Sequence, residues 1–226
     1  MLNIKDSEGH TPWFTFSAIS YLREILKRDT KVFEYGAGNS TIFFNNNVDE
    51  CYSVDHNPGW VDTVLSSNPN IKIIGCGENN VPLDSAVELI EKFKSMNFEL
   101  PTHPNRSHNV EHGLLNLEFA NYASQLTKWE KGYYDLIVVD GMARSLSGYI
   151  AANMVSDKGF IVLDNSDRWQ YNSLQQYLID QGFGRLDFEG MGAVNPWPWC
   201  TSFFSKTVET NNKVIQRPAK SGDLNW

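Results

Sequence analysis

The chain lacks any run of basic residues. It has 19 lysines and arginines against 27 aspartates and glutamates, which gives a formal net charge of −8 at pH 7. Proteins that follow nucleic-acid phosphates do so through clustered lysine and arginine, so this composition argues against a nucleic-acid partner. No apolar stretch approaches the ~20 residues of a membrane-spanning helix, which argues against a membrane partner.

Cysteine is also scarce. Cys51, Cys76 and Cys200 are odd in number and widely spaced, which excludes a C-x-x-C pair and makes a disulfide framework or a zinc site a poor interpretation. We expect all three to pack as small apolar side chains in a protein of the reducing cytoplasm. Residues 1–8 lack the basic, apolar and small-residue order of a signal peptide, which agrees with that location.

Aromatic and apolar residues are abundant, and they fall in alternating strand and helix patterns. The 226 residues suit one domain with a sizeable core, which we place over 14–206. The predicted strands are 31–35, 51–55, 71–75, 134–139 and 160–163, and the predicted helices are 14–27, 40–46, 60–65, 83–96, 117–129, 145–155 and 170–181. This alternation predicts a mostly parallel sheet with helices on both faces, an α/β architecture.

Three segments depart from the alternation. Residues 184–189 and 201–205 predict an antiparallel hairpin that completes the sheet. Residues 97–115 are polar and contain two prolines, which predicts an inserted loop, and residues 207–226 predict a polar tail. His103, His108 and His112 lie in the inserted loop, where we expect a lid over the acceptor or a solvated loop rather than a zinc site. If the lid closes, one of them is a candidate general base.

The stretch 31–41, KVFEYGAGNST, is the most informative motif. An apolar strand ends near Glu34, and Gly36 and Gly38 allow a sharp turn and a close approach of backbone to a ligand. Ser40 and its neighbours can cap the next helix, whose unpaired amides favour an anionic group. The alternative is an ordinary tight turn between strand and helix. The pattern resembles the first motif of class I S-adenosylmethionine (SAM) methyltransferases, with Glu34, Gly36, Gly38 and Ser40 at the family positions.

That resemblance implies the Rossmann-like methyltransferase fold, a seven-stranded sheet whose last strand inserts antiparallel between strands 5 and 6. It also implies SAM as the cofactor. A dinucleotide-binding oxidoreductase fits less well, because the third glycine of G-x-G-x-x-G would stand at position 41, which is Thr. A non-catalytic SAM-binding or scaffold protein is the other open alternative.

Further cofactor contacts are predicted after the second and third strands. Asp55 ends the second strand, where an acid in nucleotide-binding folds accepts hydrogen bonds from ribose hydroxyls; the alternative is a helix cap. The loop after the third strand is where the family recognises adenine, which implies Glu78 or Asn79 for the exocyclic amine. These two residue types are also common turn formers.

A second constellation follows the fourth and fifth strands. Asp140, Asp164 and Asn165 come at the carboxyl ends of two predicted parallel strands. If these strands are neighbours, their ends lie ~4.8 Å apart, and the oxygens of the three side chains could share one hard cation. The pattern looks like that of catechol O-methyltransferase and its relatives. That likeness implies that the three residues bind Mg²⁺ or another divalent cation; the alternative is that Asp140 hydrogen-bonds the cofactor or the acceptor and Asp164-Asn165 caps a helix.

One departure from that family concerns the base. The family has a lysine a few residues after the Asp of strand 4, and this chain has Gly141-Met-Ala-Arg144. Arginine stays protonated, so Arg144 and Arg168 are expected to orient an acid-bearing acceptor, or else to pair with nearby acids. Trp197 and Trp199 either line an acceptor pocket or bury a hairpin tip. Together these features predict an enzyme, a SAM-dependent O-methyltransferase of a small hydroxylated or sugar-like acceptor.

Overall fold

The computed structural model describes residues 10–96 and 117–209, in which strands and helices alternate. The strands are β1 (Lys31–Tyr35), β2 (Glu50–Asp55), β3 (Lys72–Gly75), β4 (Leu136–Val139), β5 (Phe160–Asp164), β6 (Gly184–Gly190) and β7 (Trp199–Ser205). The α-helices are α1 (Phe16–Ile25), α2 (Asn39–Asn47), α3 (Pro58–Ser67), α4 (Val87–Ser95), α5 (Ala120–Ser124), α6 (Arg144–Met154) and α7 (Asn172–Asp180). The predictions for 97–115, including its three histidines, and for 210–226 lie outside the described residues.

The strands form one seven-stranded sheet in the order β3-β2-β1-β4-β5-β7-β6. β1 to β5 pair in parallel, whereas β7 pairs antiparallel with both β5 and β6. This confirms the predicted α/β fold, the C-terminal hairpin and the insertion of the last strand between the fifth and sixth. The strands β2 and β3 lie on one side of β1, and β4 and β5 lie on its other side, so the strand order reverses between β1 and β4. The carboxyl ends of these two strands are therefore the expected place for a ligand.

Both faces of the sheet are buried, and alternate residues of each strand supply the two cores. In β4, Leu136 and Val138 pack with α1 and α2, while Ile137 and Val139 pack with α4 to α7 on the other face. Burial of all four side chains explains why this strand is a continuous apolar run rather than an alternating one. The helices on each face cover the sheet, so the ligand-sized opening is at its edge.

Several predicted helices are shorter than expected, and two segments differ most. The segment predicted as 83–96 begins with a 3₁₀ turn at Asp84–Ala86 before α4, and the segment 117–129 forms α5 followed by a 3₁₀ turn at Gln125–Lys128. Ser124 Oγ donates to the carbonyl of Asn121, and Thr127 Oγ1 donates to the carbonyl of Ser124. Such hydroxyl bonds compete with the helical backbone pattern, which accounts for the tightened turn.

All three cysteines are buried, and none of them forms a disulfide bond. None of the helices in residues 10–96 and 117–209 combines the length and hydropathy needed to cross a membrane.

Candidate functional site

The turn after β1 is pressed against the turn after β4. Gly36 has a φ of 96°, and a Cβ built on it would lie 2.8 Å from Cα of Gly141. A side chain at Gly36 would therefore suffer both an unfavourable backbone conformation and a clash with backbone that cannot move aside. The two turns meet only because both positions are glycine.

A buried carboxylate anchors the glycine turn from below. Thr41 Oγ1 accepts a hydrogen bond from the Gly38 amide at 2.9 Å and donates to Glu34 Oε2 at 2.5 Å. Ser53 Oγ donates to the same carboxylate oxygen at 2.7 Å. Burial raises the pKa of Glu34 to about 7, although the hydroxyl groups around it oppose the shift. Glu34 is fully buried, so it supports the turn rather than lining the opening.

Asp55, at the end of β2, clamps the other side of the turn. Its carboxylate accepts hydrogen bonds from the Ala37 amide at 3.0 Å and the Asn57 amide at 2.8 Å. The cap of α3 is Asn57, whose Oδ1 accepts from the Trp60 amide at 3.1 Å. Asp55 is therefore not the cap of α3. A carboxylate has about four lone-pair sites, which leaves acceptor capacity for a ligand.

A cavity of about 470 Å³ opens above these turns. Its volume is within the range of small-molecule sites. The wall comprises Trp13, Gly36, Ala37, Gly38, Asn39, Ser40, Asp55, His56, Trp60, Asp140, Gly141, Met142 and Arg144. The fold therefore brings together six predicted site residues that are up to 108 positions apart in the chain: Gly36, Gly38, Ser40, Asp55, Asp140 and Arg144.

Asp140 and Arg144 form an ion pair at the cavity wall. Arg144 Nη2 lies 2.9 Å from Asp140 Oδ1, and the side chain of Asp140 retains 20% of its exposure. Burial raises the pKa of Asp140 to about 6 in spite of the opposing effect of Arg144. Asp140 can therefore meet a ligand while one of its oxygens is held in place.

Arg144 does not fit the predicted role of holding an anionic acceptor. Besides the ion pair, its Nε donates to the Gly141 carbonyl, its Nη2 to the Asp140 carbonyl, and its Nη1 to the Asp164 carbonyl and Asn165 Oδ1. A guanidinium has five N–H donors, and these contacts account for all five. None is left to form a bidentate pair with a substrate carboxylate or phosphate.

The predicted metal site does not fit this geometry either. Asp164 Oδ1 accepts from Trp199 Nε1 at 3.0 Å and Thr201 Oγ1 at 2.5 Å, and burial raises the pKa of Asp164 to about 7. Asn165 Oδ1 and Asp140 Oδ1 face Arg144 instead. Among residues 10–96 and 117–209, no group of three or more His, Cys, Asp or Glu is arranged to hold a metal ion. The guanidinium occupies the place that the prediction gave to the metal.

The other predicted site residues lie away from the cavity wall. Asn79 pairs through its backbone with Glu118 and Asn121, and its Oδ1 accepts from the Val81 amide. Glu78, Asn79 and Arg168 are not among the lining residues, and Trp199 is buried beside Asp164.

Trp13 is a lining residue that the sequence did not indicate. Thr15 fixes the segment that carries it, since its amide donates to Thr201 Oγ1 at 3.3 Å and its hydroxyl to the Phe188 carbonyl at 2.9 Å. The indole is 53% exposed although it borders the cavity. The only available signal was an aromatic residue placed before the amphipathic pattern of α1. Trp60 also lines the cavity, and its Nε1 donates to the Ala37 carbonyl at 2.7 Å.

The sequence matches no protein-family model and no curated protein. Among solved structures, the chain resembles precorrin-6y C5,15-methyltransferase from Geobacter metallireducens, with a TM-score of 0.51, 13% identity, and coverage of 85% of this chain and 88% of that one. The fold is the Rossmann-like fold of methyltransferases. Weaker likenesses include a methyltransferase-like protein from Silicibacter pomeroyi, with a TM-score of 0.44, 16% identity, and coverage of 91% and 88%. Another is an rRNA methylase from Streptococcus thermophilus, with a TM-score of 0.45, 14% identity, and coverage of 84% and 95%.

Proposed function

We propose that the protein is a SAM-dependent methyltransferase. The observation that carries this proposal is one cavity whose wall combines the glycine turn after β1, Asp55 after β2 and Asp140 after β4. These are the strand ends at which open α/β sheets bind nucleotide-like ligands. The shared fold with the Geobacter metallireducens methyltransferase is consistent with the proposal.

The residues present fit SAM as a ligand. Asp55 lines the cavity, and its carboxylate, which accepts from two backbone amides and lies 3.4 Å from His56 Nδ1, has acceptor capacity left for a ribose hydroxyl. Gly38 leaves open space, because a Cβ built there would meet only the Trp60 ring at 4.0 Å. Bound SAM would supply an electrophilic methyl group on its sulfonium.

The chemistry that the chain itself can supply is alignment and proton acceptance. Asp140 borders the cavity with one oxygen fixed by Arg144, so its carboxylate is placed to accept a hydrogen bond, and then the proton, from an acceptor hydroxyl. We therefore infer O-methylation, with Asp140 as the general base in place of the lysine of the catechol family. No divalent metal enters this proposal.

The acceptor we propose is a small hydroxylated ring, for example a sugar. Trp13 presents a half-exposed aromatic face at the cavity, and such faces pack well against rings. Arg144 has no donor left for an anionic group, so nothing at Arg144 favours an acceptor that carries an acid. Arg168 stays a predicted acceptor contact outside the cavity wall.

Calorimetric titration with S-adenosylhomocysteine, the demethylated product of SAM, tests the cofactor. We expect micromolar binding that weakens strongly in Asp55→Ala and stays close to wild type in Glu78→Ala. Absence of binding to both SAM and S-adenosylhomocysteine would overturn the proposal. NADH titrated in parallel tests the oxidoreductase alternative, which requires NADH to bind instead.

Transfer of the methyl group is tested separately. Radiolabelled SAM incubated with a panel of sugars, polyols and phenols should give a labelled product, and Asp140→Asn should lower the rate with little change in cofactor affinity. Binding without labelling of any hydroxylated compound would favour the non-catalytic alternative.

A further inference from the structure

The guanidinium of Arg144 lies in a cage of oxygen atoms at the ends of β4 and β5. Three are backbone carbonyls: Gly141 at 3.0 Å from Nε, Asp140 at 2.8 Å from Nη2, and Asp164 at 2.7 Å from Nη1. Two are side-chain oxygens: Asp140 Oδ1 at 2.9 Å from Nη2 and Asn165 Oδ1 at 3.2 Å from Nη1. Carboxylate, amide and carbonyl oxygens are also the ligands that hard divalent cations take.

The position of Arg144 in α6 indicates that the surrounding oxygen atoms, and not the helix terminus, favour a cation here. Arg144 is the first residue of α6, and the partial positive charge of a helix N-terminus disfavours a cation there. Ala143, just before it, and Asn165, in the cage, have φ values of 50° and 52°. Such left-handed conformations are unfavourable for alanine, so the surrounding contacts must hold them. Tyr171 covers the guanidinium, with its ring centroid 5.7 Å from Cζ.

We propose that Arg144 is a built-in cation that takes the place of a divalent metal ion at this sheet edge. Its positive charge neutralises Asp140, and its planar fork ties the ends of β4 and β5 together. A metal ion cannot enter while the guanidinium fills the cage. Arg144 is thus a positioning residue, since it fixes the carboxylate that faces the cavity. The assignment of Arg144 as the cation of this site rests on geometry alone. Its further role, which is to position Asp140 as a proton acceptor, rests on the proposed function.

The first test uses wild-type protein and no substrate. Thermal unfolding and S-adenosylhomocysteine affinity are measured after EDTA treatment and again with Mg²⁺ or Mn²⁺. We expect neither quantity to change. A metal-dependent rise in the unfolding temperature, or tighter ligand binding with metal, would overturn the proposal.

The second test removes the cation. Arg144→Ala should lower the unfolding temperature by about 10 °C, because it leaves Asp140 without its buried partner. Mn²⁺ at about tenfold above its dissociation constant should then raise that temperature by about 4 °C in the variant but not in wild type. Combining Arg144→Ala with Asp140→Asn should abolish the Mn²⁺ effect. Arg168→Ala, which removes a charge at the same edge but outside the cage, should show no Mn²⁺ effect.

Arg144→Lys keeps the proposal testable if the alanine variant does not fold. A lysine keeps the charge but has three donors on one nitrogen, so it cannot satisfy the five oxygens. We expect an unfolding temperature below wild type and no response to Mn²⁺. Wild-type stability in Arg144→Lys, or no Mn²⁺ effect in a folded Arg144→Ala, would overturn the cation role. If wild-type protein does not bind S-adenosylhomocysteine, the proposed function is refuted, but the assignment of Arg144 as the cation of this site is unaffected.

Discussion

Two parts of the same sheet edge hold their carboxylates in different ways. At the β1–β2 end, defined by Gly36, Gly38 and Asp55, backbone amides of the adjacent turns hold Asp55. At the β4–β5 end, defined by Asp140, Arg144, Asp164 and Asn165, side chains hold the carboxylates. One largely buried guanidinium, that of Arg144, contacts residues that follow both strands. A turn held by backbone depends on which residues fit its conformation, whereas an end held by side chains depends on charge balance.

This difference leads to different expected sensitivities. We expect ligand binding at the β1–β2 end to be lost when the backbone conformation of its turns changes. Among changes of charge at this end, only those at Asp55 should weaken binding. The β4–β5 end should tolerate small changes in backbone conformation. It should lose its structure or activity when the charges of Asp140 and Arg144 are no longer balanced. The variants of Gly36, Asp55 and Asp140 each act on one end, whereas those of Glu34, beneath the glycine turn, and Trp13, on the cavity wall, act next to them.

Gly36→Ala should have the largest effect. The new Cβ would lie 2.8 Å from Gly141 Cα at a φ of 96°, so the glycine turn must move and S-adenosylhomocysteine affinity should fall about 100-fold or more. Gly182→Ala is the matched control, because its φ of 85° is similar but no atom lies within 4 Å of the new Cβ. That variant should lose only about 1 kcal/mol of stability and keep its affinity. Equal losses in both variants would show that close packing of the two turns is unimportant.

Asp55→Asn and Asp140→Asn should separate binding from turnover. Asp55→Asn should weaken S-adenosylhomocysteine binding about tenfold or more, because a charged acceptor shared by two amides becomes neutral. Asp140→Asn should leave that affinity nearly unchanged and lower kcat by about 100-fold or more. Calorimetry and single-turnover methylation measure the two quantities. A reversed pattern would mean that the roles of the two ends are interchanged.

Glu34→Gln tests the carboxyl beneath the glycine turn through its effect on stability. With a folded-state pKa near 7 against 4.5 for an ordinary glutamate, the folded protein keeps a proton that the unfolded chain has already released. The free energy of unfolding should therefore fall as pH rises from 4.5 through 7, by up to about 1.4 kcal/mol per pH unit for this group.

Glu34→Gln should remove that contribution, so urea unfolding curves at pH 5 and 6.5 should differ less in the variant than in wild type. Asp140 and Asp164 have raised pKa values too, so a slope of the same sign remains. An unchanged slope in Glu34→Gln would show that Glu34 is ionised at pH 5.

Trp13→Ala should have the smallest effect on the fold. The indole is already 53% exposed, so the free energy of unfolding should change by less than about 0.5 kcal/mol. Because the Trp13 ring would no longer pack against the acceptor, KM for a ring-bearing acceptor should rise about tenfold. The affinity for S-adenosylhomocysteine should stay unchanged. Trp197→Ala, on the turn between β6 and β7 and outside the cavity wall, is the control and should leave KM unchanged. A shift in KM in both variants would assign the effect to the hairpin.

Much of the fold was readable from the chain. Continuous apolar runs such as 136–139 and glycines directly after a strand are local patterns, so the strands and the glycine turn were predicted correctly. The place of the last strand between the fifth and sixth followed from the resemblance to methyltransferases and is confirmed. The helix end around 125 was not predicted correctly, because the hydroxyls of Ser124 and Thr127 bind nearby backbone carbonyls and tighten the turn there. Trp13 was missed because contacts to residues more than 170 positions away fix its segment.

The sequence determined that polar residues would gather at the carboxyl ends of the strands, since strand direction and side-chain type are local properties. Tertiary structure alone decided which oxygens face which cation. Arg144 lies only 4 positions from Asp140 but 21 from Asn165, and the pairing of β4 with β5 is what closes the cage around its guanidinium. Spacing along the chain suggested a metal ion between the carboxylates, and the fold placed an arginine there, because a side chain of that length can reach across two paired strands.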